Sequence, residues 1–544
     1  MKRFGLRGNL SAVLLVLLLA WVVVYPLLVV GREALGADLG AFFAQPTEWL
    51  ALWASLWTSA ASVALAALVG VPLAFVFERY DFPGRKVLGA LVALPAVMPP
   101  LVGVIAFLFL YGESGFVARA VQALLARAES PWRLQGPVAI LLVHAYSMYV
   151  YFYLFTRAGL AKLDAATLEA AASLGAGPFE TFRRVTLPLL RPSLVGAALL
   201  TFMTALASFS APYVFGGGFR VMTTQIVNTR LNGDLALAML ETAMLTAVAL
   251  LGFAVVQWTE GNRAVASVGK GTPPALRIIS NPLARRLAAA AGWLLAAVLL
   301  LPHATLILIS FVPVNTWTTE ALPPAFGVVN YRLLFSEAER LRPMLNSLWM
   351  AGAATALAVA VAVWAGQLAV RRRSPLGRVI EMLLALPWAV PGTVLAIALA
   401  TVFSVHRPLA GRFILVGTAA ILPLAYFVRN LPLTGRALLA GFRQLDPALD
   451  EAAQSLGAGR LRRLTRVTLP LLKPAIAAGG ALAFVTALGD FVTSILLYTF
   501  ETRPISIEIL TSLRVGELGV AAAFGVVLMA VSAAALGVGA RLGR

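Results

Sequence analysis

From Leu10 onward the chain is a succession of apolar runs, separated by short segments that hold most of its charge. Each run is about 20 residues long, the length at which one α-helix crosses the hydrocarbon core of a bilayer. Backbone in lipid can satisfy its N–H and C=O groups only as helices or as a closed barrel. The period-2 alternation of barrel strands is absent, so the expected fold class is all-α and polytopic. With 60% hydrophobic and 12% charged residues over 544 positions, the chain has too little polar residue to cover a soluble fold. Spans are expected near 10–30, 50–78, 87–111, 136–156, 193–213 and 235–258. A second set is expected near 287–312, 344–370, 379–403, 413–428, 474–499 and 518–540. That makes about twelve helices, six in each half.

The net charge of +19 raises nucleic acid as a partner. The charges sit in short loops between spans, which argues for a lipid bilayer instead. With the N-terminus in the cytoplasm, most of the 43 Lys and Arg fall on the inner side, and none falls inside a span. The positive-inside rule then places both termini in the cytoplasm and the chain in a cell inner membrane. The basic start MKRFGLRGNL resembles a signal peptide, but the apolar run behind it is too long and lacks a small-residue cleavage site. It is read as the first transmembrane helix. The absence of cysteine excludes disulfides and thiolate metal sites.

The second half repeats the first. SLWTSAASVALAALVG, from Ser55, matches SLWMAGAATALAVAVA, from Ser347, and ALPAVMPP at Ala93 matches ALPWAVPG at Ala385, both at an offset of 292. LLTFMTALASFSAP at Leu199 matches ALAFVTALGDFVTS at Ala481 at an offset of 282. An even number of spans per half gives both halves one orientation, related by a pseudo-two-fold axis along the membrane normal. The expected domains are 1–260 and 283–544, joined by a polar, Gly/Pro-containing cytoplasmic linker at 261–282. The first half's extra residues include SGFVARAVQALLARAES, where Phe116, Val117, Ala120, Val121, Leu124 and Leu125 share a helical face and Ser114 is a candidate cap. An interfacial helix on the outer surface is expected there.

The most informative repeat is polar. EAAASLGAGPFETFRRVTLPLLRP, Glu169 to Pro192, returns as EAAQSLGAGRLRRLTRVTLPLLKP, Glu451 to Pro474. Asp446 is a good N-cap and Pro447 suits the first helical position; Asp164 caps the first copy. Gly175 and Gly457 are helix stops. A short helix of about ten residues follows, roughly 15 Å long. Ala170, Ala171, Ala452 and Ala453 leave one side bare for close approach. Glu169 and Glu451 are then the side chains able to make a directed, charge-assisted bond to an Arg. The flanking Arg183, Arg184, Arg462, Arg463 and Arg466 suit anionic headgroups.

These residues resemble the Glu-Ala-Ala loop of permease subunits in binding-protein-dependent ABC importers. Both copies match the motif at full spacing: Glu-Ala-Ala, three residues, Gly, nine residues, a hydrophobic residue, any residue, Leu-Pro. Nearly the whole chain is covered, because each half looks like one six-helix permease domain of the type I importer fold. Fusion of two such domains is the arrangement of iron(III) and thiamine permeases. The resemblance implies that the short helices are coupling helices seated on two copies of a cytoplasmic ABC ATPase. Glu169 and Glu451 would contact it, Gly175 and Gly457 would form the turn, and Pro188 and Pro470 would start the next membrane helix. It also implies an external substrate-binding protein and alternating access, with a transport role rather than enzymatic catalysis. ATP would bind the separate subunit and no cofactor this chain, which has no G-x-x-x-x-G-K-[ST] loop; Gly269-Lys270 lacks that context.

The substrate is less legible. LGDFVTSILLYTFETRPISIEI, Leu488 to Ile509, resembles the iron(III) permeases more than the thiamine permeases. Thiamine or its phosphate, phosphonates and polyamines remain alternatives, and a twelve-helix secondary transporter is the alternative of another class. His144, His303 and His406 lie in unrelated segments without ligand spacing, so no metal site is expected. Tyr146, Tyr149, Tyr151 and Tyr153 offer phenolates or, more simply, an aromatic belt at the membrane surface. Asp490, inside the expected eleventh helix opposite Ser208, and Glu241, inside the sixth, are candidate pathway residues, because an intramembrane carboxylate is costly. Asp490 would attract a cation or bond Thr486 or Thr493; Glu241 would line the path or be hydrated near the outer end.

Overall fold

In a computed structural model of the chain, residues 2–127, 129–261, 272, 274–317, 322–372 and 375–543 are described. The first half runs α1 (Lys2–Leu19), α2 (Tyr25–Ala34), α3 (Leu39–Ala44), α4 (Pro46–Arg79), α5 (Arg85–Leu91), α6 (Pro100–Tyr111) and α7 (Phe116–Leu125). It continues with α8 (Gly136–Leu160), α9 (Ala165–Ser173), α10 (Pro178–Thr181), α11 (Leu187–Leu206), α12 (Ser210–Phe215), α13 (Met222–Leu231) and α14 (Leu235–Gly261). The second half runs α15 (Pro282–Ser310), α16 (Val329–Ser336), α17 (Ala338–Arg372), α18 (Pro375–Ala385), α19 (Gly392–Phe403) and α20 (Ile421–Gln444). It ends with α21 (Pro447–Ser455), α22 (Arg460–Arg463), α23 (Leu469–Leu488), α24 (Val492–Leu497), α25 (Ile505–Arg514) and α26 (Leu518–Leu542). The strand content of the described residues is one parallel pair, β1 (Tyr80–Asp81) with β2 (Arg277–Ile278), which fastens the linker beside the end of α4. Linker residues 262–271, with Gly269 and Lys270, lie outside the described residues.

Among the described residues ten helices are long and apolar enough to cross a membrane, or eleven if α18 and α19, bent by 107°, form one span. The span expected at 413–428 is displaced. It is α20, 24 residues that carry Arg429, Arg436 and Arg443. α20 is not among the ten helices counted above, and Arg429 lies eight residues into it. A charge inside a packed bundle is tolerated when it has a partner, so a rule that ends spans at the first charge cuts this helix short.

Other expected spans are broken rather than displaced. The run at 87–111 divides into α5 and α6 around Pro95, Pro99 and Pro100; the run at 379–403 divides likewise around Pro387 and Pro391. Each proline removes a donor, and Met98 and Pro99, the residues before Pro99 and Pro100, are extended. In the first half tyrosines take up freed carbonyls: Tyr149 donates to Val92 O and Tyr153 to Gly89 O, at 3.1 Å for the latter. Tyr146 donates to Leu299 O at 2.8 Å. Tyr149 and Tyr153 are thus not part of an aromatic belt at the surface, since both are fully buried, whereas Tyr146 and Tyr151 are half-buried.

Three wide helical turns follow one rule. Ala20–Val24, Phe182–Thr186 and Leu464–Thr468 are π-helical, and each ends two residues before a proline, Pro26, Pro188 or Pro470. Widening the turn relieves the clash between the ring and the carbonyl four residues back. Pro188 and Pro470 are the second residues of α11 and α23. They sit inside continuous helical runs that begin at Pro178 and Arg460.

The halves are interlocked. α1 packs on α17 and α18, and α2 on α19, all in the other half; α15 packs on α5 and α6. The Trp21 indole donates to Leu409 O at 3.0 Å, Tyr25 donates to Pro408 O, and Glu33 pairs with Arg407 at 2.7 Å. Within the first half, Gly70 lets α4 and α8 touch: a Cβ there would stand 2.3 Å from Tyr149 O. The amphipathic helix α7 forms as expected, but its N-cap is Gly115 rather than Ser114. Its Phe116 stacks on Trp317 of the second half at 4.7 Å, whereas Leu124 is 83% exposed.

Candidate functional site

The two repeated loops form matching helices. In α9 the Asp164 carboxylate accepts from Ala166 N at 3.1 Å, and in α21 Asp446 accepts from Ala448 N at 2.9 Å. Both ends are closed by the same pair of bonds. Ala176 N donates to Ala171 O and Gly175 N to Ala172 O; Ala458 N donates to Ala453 O and Gly457 N to Gln454 O. This six-to-one, five-to-two closure requires a left-handed residue, and Gly175 and Gly457 supply it at φ of 81° and 78°. Each helix has nine residues.

Glu169, Ala170, Glu451 and Ala452 are exposed, Ala171 is buried and Ala453 is half-buried. The exposed face also carries apolar residues that the motif does not emphasise. Leu174 and Leu456 are each 88% exposed, Phe179 is 75% and Leu461 74% exposed. Each pair is related by the 282 offset, so the signal was present in the repeat itself.

The loops differ in how they are held. Asp450 bridges Arg371 of α17 at 3.0 Å and Arg463 at 3.2 Å, and Arg463 also reaches Gln454 at 2.9 Å. The corresponding first-half residues are Leu168, Thr181 and Ala172, which cannot make these bonds. There the helix is tied to the linker, through Ala165 N to Thr272 O at 3.0 Å.

A second pair of matching features lies on the pseudo-two-fold axis. The run at 193–213 breaks between α11 and α12, and the run at 474–499 between α23 and α24. Ser208 and Asp490 stand at these breaks, so neither is inside a continuous helix. The next residues, Phe209 and Phe491, are related by the repeat and meet with ring centroids 5.8 Å apart. Tyr213 stacks on Phe209 at 5.1 Å and touches Phe491 at 5.9 Å. Phe209 and Phe491 are at most 2% exposed, so this aromatic contact is closed. α8 and α20 bring His144 and Arg429 to it, each eight residues in and so roughly 12 Å from the end remote from the loops.

Asp490 is not free to attract a cation. Its Oδ2 pairs with Arg429 Nε at 3.1 Å, and its Oδ1 accepts from the Thr493 hydroxyl and from Thr493 N, the latter at 2.9 Å. Thr486 instead donates to Leu482 O, at 2.8 Å. Gly392 makes room for the guanidinium: a Cβ there would stand 2.3 Å from Arg429 Nη1. In the first half, His144 lies between Ser62 and Ser208, 2.8 Å from each hydroxyl. One break is thus held by an ion pair and the other by an imidazole. His303 lies 3.3 Å from the Tyr146 hydroxyl and His406 3.1 Å from Gly411 O; no cluster of three metal-ligating residues occurs among the described residues.

Glu241 is fully buried. It accepts from the Thr229 hydroxyl at 2.8 Å, and near it Glu48 accepts from Gln225 Nε2 at 3.0 Å.

Comparison with known proteins follows this division. The family described as "Binding-protein-dependent transport system inner membrane component" matches twice, over residues 66–260 and 358–544. The chain is 33% identical to a probable ABC transporter permease protein, y4fN, of Sinorhizobium fredii, over 90% of this chain and 87% of that one. It is 30% identical to the ferric transport system permease protein FbpB of Actinobacillus pleuropneumoniae, over 80% of this chain and 63% of the relative. It is 29% identical to the thiamine transport system permease protein ThiP of Escherichia coli, over 84% of each. The chain belongs to the family of binding-protein-dependent transport system inner membrane components, as a fused pair of its permease domains.

Proposed function

We propose that this chain is the permease subunit of an ATP-driven importer in a cell inner membrane, with both termini and both repeated loops in the cytoplasm. The observation that carries the proposal is the duplicated loop helix. Two rigid nine-residue helices, each with a left-handed glycine stop, present an exposed Glu, Ala and Leu in the same order. An exposed leucine and an exposed carboxylate on one short helix offer a recognition surface to a protein with an apolar cleft and an Arg, which suits an ABC ATPase docked at each loop. The first loop's tie to the linker and the second loop's bridge to α17 would carry a pull from that partner into the bundle.

The substrate we favour is iron(III), delivered by an external binding protein. Support comes from the ferric permease relative and from the fused architecture. With Asp490 neutralised by Arg429, affinity would reside in the binding protein, and the permease would only gate. Thiamine is the second reading, because the thiamine permease relative covers a larger share of its own length.

The test is ATP hydrolysis by the reconstituted chain with its ATPase and its binding protein, given ferric iron, thiamine, thiamine pyrophosphate, a phosphonate or a polyamine. Stimulation by ferric binding protein alone is expected. Stimulation by an organic ligand would move the substrate and keep the mechanism. A chain that hydrolyses nothing with any ATPase, yet transports down an ion gradient, would replace the importer with a secondary transporter.

A further inference from the structure

The end of the first half remote from the loops holds two carboxyl groups with no cation between them. Glu48, in the first turn of α4, is 3% exposed, and Glu241, in the second turn of α14, is 0% exposed. Thr47 and Gln225 donate to Oε1 of Glu48 at 3.1 and 3.0 Å, and Thr229 donates to Oε1 of Glu241 at 2.8 Å. Gln225 Nε2 also donates to Thr229 Oγ1 at 3.3 Å, so one short chain of bonds links the two carboxyl groups, and Oε2 of each is buried without a donor.

An ionised carboxylate only accepts, so a bond between two of them needs a proton. Two like charges close together in a dry site repel strongly. Two carboxyl groups at such a distance do not both ionise. The surroundings do not supply the missing charge. Arg220 donates to Gln225 Oε1 at 3.2 Å and not to either carboxyl. α13 also carries Arg230, and Asp234 caps α14 through Leu237 N. α2 brings Arg32 and Glu33, the latter paired with Arg407. Asp38, ahead of α3, accepts from Gly40 N. α8 brings His144, held by Ser62 and Ser208; α19 has no charged residue, and α11 has Arg191 near its other end.

We propose that Glu48 and Glu241 form a proton-binding site, in which one proton shared by the two carboxyl groups joins α4 to α14. Its loss places two like charges in a dry contact and drives the helices apart. α13 connects this site to the aromatic contact, because Thr223 donates to Ser208 O at 2.7 Å and Ser55 Oγ accepts from Met222 N at 2.7 Å. Proton release would therefore loosen the first-half break. That consequence rests on the permease reading, whereas the shared proton does not.

The experiment is infrared spectroscopy of the purified full chain in detergent, in light and heavy water, for the wild type, Glu48→Gln and Glu241→Gln. Melting curves would establish that each variant is folded. The wild type should show a deuterium-sensitive carbonyl band of a protonated carboxyl at neutral pH, and each variant should lose it. Protection from hydrogen exchange in 222–231, taken relative to the intrinsic base-catalysed rate, should fall with alkaline pH in the wild type and stay constant in Glu241→Gln, whose amide bonds Glu48 without a proton. Absence of the band, its survival in both variants, or its replacement by saturable stabilisation with sodium or calcium would overturn the proposal. Loss of transport coupling alone would bear on the permease reading and leave the band intact.

Discussion

Replacing Arg429 with Met should cost stability through the partner it abandons. The Asp490 side chain is 3% exposed and Arg429 lies 3.1 Å from it. Removing one partner of a buried pair typically costs about 3–5 kcal/mol, because the other charge is left uncompensated. Asp490 keeps its bonds from the Thr493 hydroxyl and backbone N–H, so the low end, about 3 kcal/mol, is expected. Asp490→Asn preserves an acceptor for Thr493 and leaves Arg429, 26% exposed, for which about 2 kcal/mol is reasonable. The double variant removes both charges and should lose only about 1 kcal/mol. The double-mutant cycle then gives a coupling of about 4 kcal/mol, far above the additivity limit of roughly 0.5 kcal/mol. Unfolding in mixed micelles of detergent and dodecyl sulfate supplies the three differences. Additive single costs would refute the reasoning, and with it the claim that the second break is held by this ion pair.

Three further outcomes are expected. Leu174→Ser and Leu456→Ser should leave the isolated chain within about 0.5 kcal/mol of the wild type, but weaken ATPase binding by about 30-fold each, as buried anchors do; unchanged binding by surface plasmon resonance would remove the leucines from the interface. Gly175→Ala and Gly457→Ala place a side chain at positive φ and should cost about 1 kcal/mol locally, read as faster hydrogen exchange in 165–173 or 447–455. Arg340 donates to Glu517 at 2.7 and 3.0 Å, which holds this carboxyl below the usual carboxylate range. With the folded value below the unfolded one, the tie stabilises above about pH 4.3 and is lost as pH falls further. Glu517→Gln should flatten that acid limb of a melting-temperature profile, and an unaltered limb would assign it elsewhere.

Helix class, duplication and the loop helices were legible because each follows from local chemistry. Apolar length marks a span, Asp164 and Asp446 cap, and Gly175 and Gly457 stop. What escaped depends on partners distant in sequence. Arg429 ended a span on paper because a lone charge is costly in lipid, and its partner, Asp490, lies 61 residues on. The repeat held the correction: Arg429 corresponds to Ser147, well inside the expected fourth helix. The breaks at Ser208 and Asp490 carry no proline at the break itself, so composition gave no warning. The tyrosines of α8 were misread because their acceptors are carbonyls freed by prolines in another segment. Pro188 and Pro470 do lie in the first turn of α11 and α23; what their spacing does not show is the wide turn ahead of each, which carries the helix back toward the loop.

The exchange of first helices changes what the linker is for. With α1 on α17 and α18, α2 between α14 and α19, and α15 between α26 and the first half's α5 and α6, the two halves would stay clasped if the chain were cut between them. Covalent joining therefore adds little cohesion, and its effect is on partner choice. Free halves resemble each other enough to pair like with like, and such dimers would carry two imidazoles or two ion pairs at the axis. One continuous polypeptide makes the unlike pairing the default, so every molecule is built with His144 on one side and Arg429 on the other.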